Sequence, residues 1–145
     1  MFATGVTVAT VRAPDGTPHG LTVSSFTSVS LEPPLVLICI DRGCSSLAHF
    51  QAATHFAINI LEESQIDLSR RFAKKTEGRF EGLDWSEHSH GAPRLAGCLA
   101  GIEARVLSTI EAGDHWVFLG AVEHAEAHAG RRPLLYFDRD YRALG

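Results

Sequence analysis

A row of hydroxyl side chains between two apolar, strand-like stretches is the first feature of this sequence with chemical potential. The segment GLTVSSFTSVSLEPPL, residues 20–35, carries six of them: Thr22, Ser24, Ser25, Thr27, Ser28 and Ser30. Every buried hydroxyl needs a hydrogen-bond partner, so an ordinary buried strand rarely holds so many. Either the hydroxyls and backbone amides bind a polar, planar ligand, or they bond the local backbone of a Ser/Thr-rich turn. Periodicity alone favours the turn.

The segment DRGCSSL, residues 41–47, is the second candidate site. Arg42 and Gly43 follow a strand-like run, and Ser45 and Ser46 stand where a helix is predicted to begin. Free amides in the first turn of a helix, together with hydroxyls, suit a phosphate group. Ordinary helix capping needs only one of the two serines. The pattern is neither a P-loop nor a dinucleotide fingerprint, so the signal is weak by itself.

The segment EAGDH, residues 111–115, puts Asp114 and His115 at the predicted tip of a hairpin. A histidine in that position is able to contact a substrate or to move a proton. A Gly-Asp turn also has the geometry that a hairpin needs, and on the residues alone this simpler interpretation is favoured. We discount a Ser–His–Asp triad because the chain has no GxSxG elbow.

The remaining histidines suggest a metal site, which the sequence does not favour. His88 and His90 alternate in one segment, and His124 and His128 alternate in a strand-like one. A zinc site needs three or four converging ligands and an ordered second shell. No acidic or cysteine partner lies at a supporting spacing. We therefore predict solvated histidines and no metal.

Two features near the second candidate site are available to support it. Cys44 has no recognisable base to activate its thiol, so we interpret it as a small contact residue. In the segment RRFAKK, Arg71 or Lys74 is available to assist a phosphate. A solvated helix face is nevertheless the commoner role of such a charge run.

The elements that must position these residues are mainly strands. Residues 6–12 and 19–25 predict a hairpin around APDGTPHG, and the continuously apolar residues 35–41 predict a strand buried on both faces. A further strand over residues 56–61, a long hairpin around EAGDH and a short strand at PLLYF follow. Helices are predicted after CSSL and over ESQIDLSRRFAKK. A long loop over residues 76–94 is typical of functional or mobile segments. The set predicts a mainly β protein, a small antiparallel barrel with two or so short helices.

Composition narrows the class of protein. The chain has 145 residues, 45% of them hydrophobic and 21% charged, which predicts one packed domain over residues 1–145. The formal net charge of -4 gives no basic surface for nucleic acid. No run approaches the roughly 20 apolar residues of a membrane span, and no signal peptide is recognisable. Three cysteines without CxxC spacing predict a reduced, cytoplasmic protein.

Taken in chain order, several segments resemble the short-chain flavin reductases, the NAD(P)H:flavin oxidoreductases that feed two-component monooxygenases. They run from Phe2 to about Tyr141: FATGVTVAT, HGLTVSSFTSVSLEPPLVLICID, FAINIL, RRFA, EAGDHWVFLGAVE and PLLYF. The resemblance implies an FMN-binding split β-barrel, Greek-key-like and antiparallel, that forms a homodimer with one flavin per subunit near the interface.

The activity that the resemblance implies is hydride transfer from NADH or NADPH to FMN or FAD. The reduced flavin would reach a separate monooxygenase by diffusion. A non-catalytic FMN-binding protein, such as an electron carrier or flavin store, is the alternative.

The resemblance also implies roles for single residues. Contacts to the flavin ring and ribityl chain, some through the backbone, are implied for Thr22, Val23, Ser24 and Ser25. Contacts on the phosphate side are implied for Arg42, Cys44, Ser45 and Ser46. His115 is the implied catalytic and substrate-binding residue, which positions the nicotinamide or assists protonation, and Tyr141 is a second substrate contact. Many relatives have an amide at the position of Ser24, and a basic or hydroxyl residue near Cys44, so the choice between FMN and FAD stays open.

Overall fold

Strands make up most of the regular structure, and the computed structural model describes residues 1–145. The strands are β1 (Thr4–Gly5), β2 (Thr7–Arg12), β3 (Pro18–Val23), β4 (Thr27–Leu31), β5 (Pro34–Asp41), β6 (His55–Ile60), β7 (Trp85–Glu87), β8 (Pro93–Leu95), β9 (Ala100–Ala112), β10 (His115–Ala127), β11 (Leu135–Phe137) and β12 (Asp140–Arg142). The helices are α1 (Leu47–Ala52) and α2 (Ile66–Ala73). The prediction of a mainly β, antiparallel fold with two short helices is confirmed. Neither helix has the length and apolarity needed to cross a membrane.

Seven strands form one antiparallel sheet in the order β3–β2–β6–β9–β10–β5–β4. β3 and β4 follow each other in the chain yet lie at opposite edges of the sheet, so the sheet curves until these edges approach. Ser25, in the link between them, crosses the gap: its hydroxyl donates to the Cys39 carbonyl at 2.9 Å and accepts from the Cys39 amide at 3.0 Å. No strand ladder joins the two edges, so the barrel is split along a seam that has β3 on one side and β4 with the end of β5 on the other.

Two apolar cores lie on opposite faces of β2. Ala9 and Val11 belong to a core of 12 buried residues, which also contains Phe56 and Phe118. Val8, which directly precedes Ala9 and therefore points to the other face, belongs to a core of 7 buried residues under α2. The alternation of side chains along a strand therefore gives β2 a core on each side, as its apolar sequence requires.

The dense packing of the larger core explains a glycine in β10. A Cβ atom on Gly120 would lie 2.8 Å from the Ala104 Cβ and 2.8 Å from the Phe56 ring. Real side chains do not approach so closely, so only glycine fits where β10 crosses Phe56.

The prediction that strand β5 is buried on both faces is wrong. Only alternate side chains, those of Val36, Ile38 and Ile40, are buried in the larger core. Leu35, Leu37 and Cys39 point to the other face and are only half-buried. The continuous apolar sequence indicated two covered faces, but one of them is partly open in a single chain.

Three further segments differ from their sequence-based predictions. Residues 27–31 form the edge strand β4 rather than a turn. The predicted loop of residues 76–94 contains β7 and the start of β8, which pair with each other. The tail after PLLYF forms β12, which pairs with β11. The anchor of β8 is a long-range hydrogen bond of 2.6 Å from the Thr10 hydroxyl to the Pro93 carbonyl, which no local sequence pattern reveals.

Candidate functional site

Two adjoining cavities open at the seam of the sheet, between β3, the turn before α1 and the segment after α2. Their volumes are about 500 Å³ and about 340 Å³, within the range of small-molecule sites. Ser45 and Arg79 line both cavities, which therefore form one continuous space. We call it the seam cleft, and the lining residues that matter below are His19, Gly20, Thr22, Cys44, Ser45, Ser46, His49, Lys75 and Arg79.

The open edge of β3 forms one wall of the seam cleft. β3 pairs with β2 on one side only, and the Gly20 carbonyl faces the cleft because it accepts a 2.7 Å hydrogen bond from Arg79 Nη1. Backbone groups alternate between the two sides of an antiparallel strand, so the amide and carbonyl of Thr22 face the same edge. The Thr22 hydroxyl itself donates to the Ser69 carbonyl of α2 at 2.6 Å. What Thr22 offers to a ligand is therefore its backbone.

The turn between β5 and α1 supplies hydrogen-bond donors that have no partner. Asp41 holds the turn, since its carboxylate accepts from the Gly43 amide at 2.7 Å and its carbonyl accepts from the Cys44 amide at 3.0 Å. The amides of Ser45 and Ser46 make no hydrogen bond within the chain, and neither hydroxyl caps α1. α1 has only six residues, so these free donors, rather than a helix dipole, make the turn suitable for an anion.

Two cationic side chains that were not predicted from the sequence also line the seam cleft, Arg79 and Lys75. Arg79 donates from Nη1 to the Gly20 carbonyl and from Nε to the Thr76 carbonyl at 3.1 Å, which leaves Nη2 free. Lys75 lines the smaller cavity and makes no ion pair. The unusual length of the segment 76–94 was the available signal for Arg79. The predicted helpers lie elsewhere: Arg71 donates to the Glu81 carbonyl, and Lys74 ends α2 in the exposed C-cap position.

Two imidazoles form a flat surface in the larger cavity. The rings of His19 and His49 stack with centroids 3.5 Å apart and planes 7° apart. Burial, and secondly the neighbouring His49, lower the pKa of His19 below its ordinary value. The pair thus offers a planar face, and the shift favours the uncharged form of His19. The sequence gives no sign of this contact, because β3 and α1 meet only through the tertiary fold.

His115 lies beside the seam cleft rather than in its wall. It begins β10 directly opposite Asp41 of β5, which lines the smaller cavity. Its Nδ1 lies 2.7 Å from the Asp114 carboxylate, and this contact lowers the pKa of Asp114. The ring is 43% exposed. A molecule that extended from the cleft over Asp41 would meet the free Nε2 of His115.

The structure keeps several other sequence-implied residues away from the cavities. The Val23 side chain is buried in the larger core, and the Ser25 hydroxyl is held by Cys39. Ser24, between them, is exposed at the end of β3. The backbone of this stretch borders the seam, while its side chains serve the fold.

Arg42 and Tyr141 are also engaged elsewhere. The Arg42 guanidinium forms an ion pair with Glu111 and donates to the Gly113 carbonyl at 3.3 Å, which holds it at the tip of the β9–β10 hairpin. The Tyr141 hydroxyl hydrogen-bonds the Ser69 hydroxyl of α2 at 2.8 Å, and Tyr141 lines neither cavity. Of the eight residues assigned to the flavin, the cavities bring together Thr22, Cys44, Ser45 and Ser46.

The prediction that the remaining histidines are solvated is wrong for His88. Its side chain is buried, its Nε2 has no hydrogen-bond partner, and burial lowers its pKa. Its ring lies 5.8 Å from that of His124. The segment after β7 folds back onto β9 and β10 and covers it, which a spacing of alternate residues does not reveal.

A separate cavity of about 270 Å³ is less suited to a ligand because both arginines in its lining already have partners. Arg94 pairs with Glu126, and Arg131 donates to the Cys98 carbonyl. Burial raises the pKa of the Cys98 thiol to about 11, which leaves no thiolate at neutral pH. The donors of Ser45 and Ser46, by contrast, have no partner in the seam cleft.

The donor set of the seam cleft fits an elongated molecule with two different ends. An open strand edge offers alternating donors and acceptors to the rim of a planar, polar ring. The free amides and hydroxyls of Ser45 and Ser46, with Lys75 and Arg79, suit a phosphate.

Comparison with known proteins gives a consistent picture. Residues 1–145 match the family described as flavin reductase like domain. The chain is 41% identical over 145 residues to the flavin-dependent monooxygenase, reductase subunit HsaB, of Mycobacterium tuberculosis, covering 99% of this chain and 77% of that protein. It is 46% identical over 121 residues to the stachydrine N-demethylase reductase subunit Stc3 of Rhizobium meliloti, covering 83% of this chain but only 53% of Stc3.

Solved structures with the same fold include the NADH:FAD oxidoreductase SgcE6 of Streptomyces globisporus, determined in complex with NAD and FAD fragments. The TM-score is 0.94 at 39% identity, over 99% of this chain and 87% of that one. The flavin reductase PheA2 in its native state has a TM-score of 0.91 at 38% identity, over 99% of this chain and 92% of that one.

Proposed function

The chain belongs to the flavin reductase-like domain family, and we propose that it is an NAD(P)H:flavin oxidoreductase that transfers hydride from NADH or NADPH to FMN or FAD. The observation that carries the proposal is the seam cleft, where unpartnered donors and two unpaired cations lie beside an open strand edge. The proposal treats residues 1–145 as one FMN-binding split-barrel domain.

The residues of the seam cleft would hold the flavin at both ends. The backbone of Thr22, Val23, Ser24 and Ser25 would meet the polar rim of the ring, and Cys44 would pack against the ribityl chain. Ser45 and Ser46 would bind the phosphate together with Arg79 and Lys75. Arg42 would contact the phosphate only after its ion pair with Glu111 breaks. Because both side chains are exposed, breaking that pair costs little free energy.

The bound flavin supplies the hydride acceptor, so the protein needs no nucleophile and no strong acid of its own. The task of the chain is to hold the donor carbon of the nicotinamide close to the ring. His115 would contact the nicotinamide from beside Asp41, with its orientation fixed by the hydrogen bond to Asp114. Tyr141 would border the same space only after a change in its contact with Ser69.

The stacked pair of His19 and His49 supports FAD as well as FMN. A flat imidazole surface in the larger cavity suits the adenine ring that FAD has and FMN lacks. If this contact is used, His49→Ala weakens the binding of FAD and leaves that of FMN unchanged, as measured by titration of each flavin.

We further propose that two copies of the chain form a homodimer. Exposed apolar side chains occur on β4 and β9, two strands that flank β5 and β10 in the sheet: Val29, Leu31, Leu107 and Ile110. The half-buried face of β5 continues this apolar surface. Contiguous exposed apolar surface of this kind is typical of protein interfaces.

The dimer is tested by mass in solution. We expect twice the 15.7 kDa of one chain by light scattering. Leu31, which is 89% exposed, gives the test variant. Leu31→Glu should shift the mass towards one chain, whereas Leu144→Glu, in the tail, should not. A wild-type protein of single-chain mass at high concentration would contradict the proposal.

The partner we propose is a separate flavin-dependent monooxygenase that receives the reduced flavin by diffusion. The relative HsaB is named as the reductase subunit of a flavin-dependent monooxygenase. We place both proteins in the cytoplasm, where the three free cysteines stay reduced.

The deciding experiment is a steady-state assay that crosses NADH and NADPH with FMN, FAD and riboflavin, followed at the nicotinamide absorbance band. We expect oxidation of the nicotinamide that depends on both protein and flavin. Tight flavin binding without turnover would instead identify a flavin carrier or store. If the protein shows no flavin binding and no turnover, the proposed function is refuted.

A further inference from the structure

Three side chains from separate segments converge away from the seam cleft. They are His55 of β6, His90 in the turn between β7 and β8, and Glu123 of β10, and one potential ligand atom of each lies within 4.8 Å of those of the other two. His55 Nε2 is 2.8 Å from Glu123 Oε1. The rings of His55 and His90 stack with centroids 4.2 Å apart and planes 2° apart. We propose that these three residues form a binding site for a divalent transition metal, with Zn²⁺ as the ion expected.

The outer hydrogen bonds of both imidazoles support this assignment. His90 Nδ1 lies 3.1 Å from Glu103 Oε1, and His55 Nδ1 lies 3.0 Å from the Thr54 hydroxyl. With Nδ1 occupied, Nε2 is the nitrogen of each ring that would bind the metal, and zinc would displace the proton that His55 Nε2 shares with Glu123. A histidine that is bonded to a carboxylate through one nitrogen and to a metal through the other is a recurring arrangement in metalloproteins.

Glu103 is a built part of the site rather than a chance neighbour. It is 0% exposed, and its carboxylate also accepts hydrogen bonds from the amides of His90 at 3.0 Å and Ala92 at 3.2 Å. These bonds fix both the carboxylate and the turn that carries His90. A rigid support of this kind is what distinguishes a metal site from a group of surface side chains.

The charges of the site match a divalent cation. Two carboxylates face the imidazoles, those of Glu123 and Glu103. Arg105 is the only cation paired with Glu123, at 3.7 Å from Oε1, so Oε2 stays open. Imidazole nitrogen and carboxylate oxygen are ligands that Zn²⁺ prefers, and three protein ligands leave a position for water.

A second cluster, made of Asp41, Asp114 and His115, has the same spacing but lacks these supports. Its ligand atoms also lie within 4.8 Å of one another. Asp114 is 88% exposed, and the Asp41 carboxylate is already bonded to the Gly43 amide. No buried group orients the ring of His115. We therefore assign the metal to His55, His90 and Glu123 alone.

The proposed role of the metal ion is to cross-link the turn after β7 to the main sheet. The three ligands come from β6, β10 and the turn between β7 and β8, so a bound ion cross-links parts of the chain that are far apart in sequence. A ligand that binds only the folded chain stabilises it, so zinc should raise the melting temperature.

The test uses the full chain, freed of metal by a chelator and of flavin by dialysis, and titrated with zinc chloride by calorimetry. We expect one Zn²⁺ per chain. His90→Ala and Glu123→Gln should each weaken binding at least tenfold, and His128→Ala, a histidine elsewhere on the surface, should not change it. Cobalt(II) should give the visible absorption of a four-coordinate site, and His90→Ala should abolish it.

Three outcomes would overturn the proposal. The first is that zinc does not bind saturably at a tenfold molar excess. The second is that His90→Ala and Glu123→Gln both bind zinc as tightly as the wild type. The third is that His115→Ala, rather than these two variants, loses zinc binding. Circular dichroism and flavin titration of each variant show that it is folded, since His90 is partly exposed and lies outside the seam cleft.

Discussion

The seam cleft and the polar network beneath β8 are both rich in polar groups, but they use them in opposite ways. In the network, Asn59 donates to the Val8 carbonyl at 3.0 Å and to the Thr10 hydroxyl at 3.2 Å, and it accepts from the Leu95 amide at 2.9 Å. All three groups of the Asn59 side chain that can bond therefore have partners. The network fastens β8 to β2 and β6.

In the seam cleft the corresponding groups have no partners within the chain. The amides and hydroxyls of Ser45 and Ser46 donate to nothing, and Lys75 pairs with no carboxylate. Buried polar groups that lack partners are costly, so proteins keep such groups only where solvent or a ligand satisfies them. The difference indicates that the network maintains the fold, whereas the cleft has donors available for a ligand.

The largest effect we expect is on the network. Asn59→Leu would leave the buried Leu95 amide without a partner and remove the side-chain bonds to the Val8 carbonyl and the Thr10 hydroxyl, so the free energy of unfolding should fall by about 3 kcal/mol. Urea denaturation measures this. The flavin affinity of the folded fraction should not change. A loss below about 1 kcal/mol, or a parallel loss of flavin binding, would erase the distinction between the two regions.

The next effect is on turnover at the border of the cleft. His115→Ala removes the ring that we place against the nicotinamide, and kcat should fall roughly 30-fold, or about 2 kcal/mol. The dissociation constant of FMN should stay within about twofold, because His115 lines neither cavity. His128→Ala is the matched control for kinetics. Equal losses of turnover and flavin binding would contradict the assigned position.

The change from serine to alanine should affect stability at one position and flavin binding at another. Ser25→Ala loses two hydrogen bonds to Cys39 across the seam and should lower the free energy of unfolding by about 1 kcal/mol. Ser46→Ala loses no bond within the chain, so it should leave stability unchanged and weaken FMN binding roughly fivefold. Thermal melts and flavin titrations of both variants separate the two outcomes, and the reverse pattern would show that the roles are exchanged.

The smallest effect is a pH dependence from His88. Its pKa is lowered in the folded chain, chiefly by burial, so the unfolded chain binds the proton more readily. The stabilising contribution is complete above the ordinary histidine pKa and is lost as the pH falls below it. His88→Phe should therefore flatten the decline of unfolding free energy between about pH 7 and pH 5. His19 shifts in the same direction, so the readout is the difference between variant and wild type. An unchanged slope would contradict this role.

Much of the fold follows from local patterns in the sequence. Alternation and β-branched runs predicted the first hairpin, β6 and the long β9–β10 hairpin, and the charge pattern around Phe72 predicted α2. Each of these depends on residues close in sequence. The half-exposed face of β5 was not predictable, because an apolar run looks the same whether a second layer or a second chain covers it.

The site was only half predictable for the same reason. Ser45 and Ser46 sit in a turn that has a sequence signature, so they were found. Arg79 and the stacked pair of His19 and His49 reach the cleft through tertiary contacts, which no spacing rule encodes. The same holds for Glu103, whose carboxylate meets His90 across a fold-back of the chain.

The most direct test of the central claim is a comparison of FMN and riboflavin binding to the wild type, Arg79→Ala and the control Arg132→Ala by quenching of flavin fluorescence. The two flavins differ only in the phosphate. If Ser45, Ser46 and Arg79 hold that phosphate, the wild type binds FMN more tightly than riboflavin. Arg79→Ala then loses about tenfold in FMN affinity with riboflavin unaffected, and Arg132→Ala loses neither. Equal affinity of the wild type for both flavins, or an Arg79→Ala variant that binds FMN as the wild type does, would contradict the account.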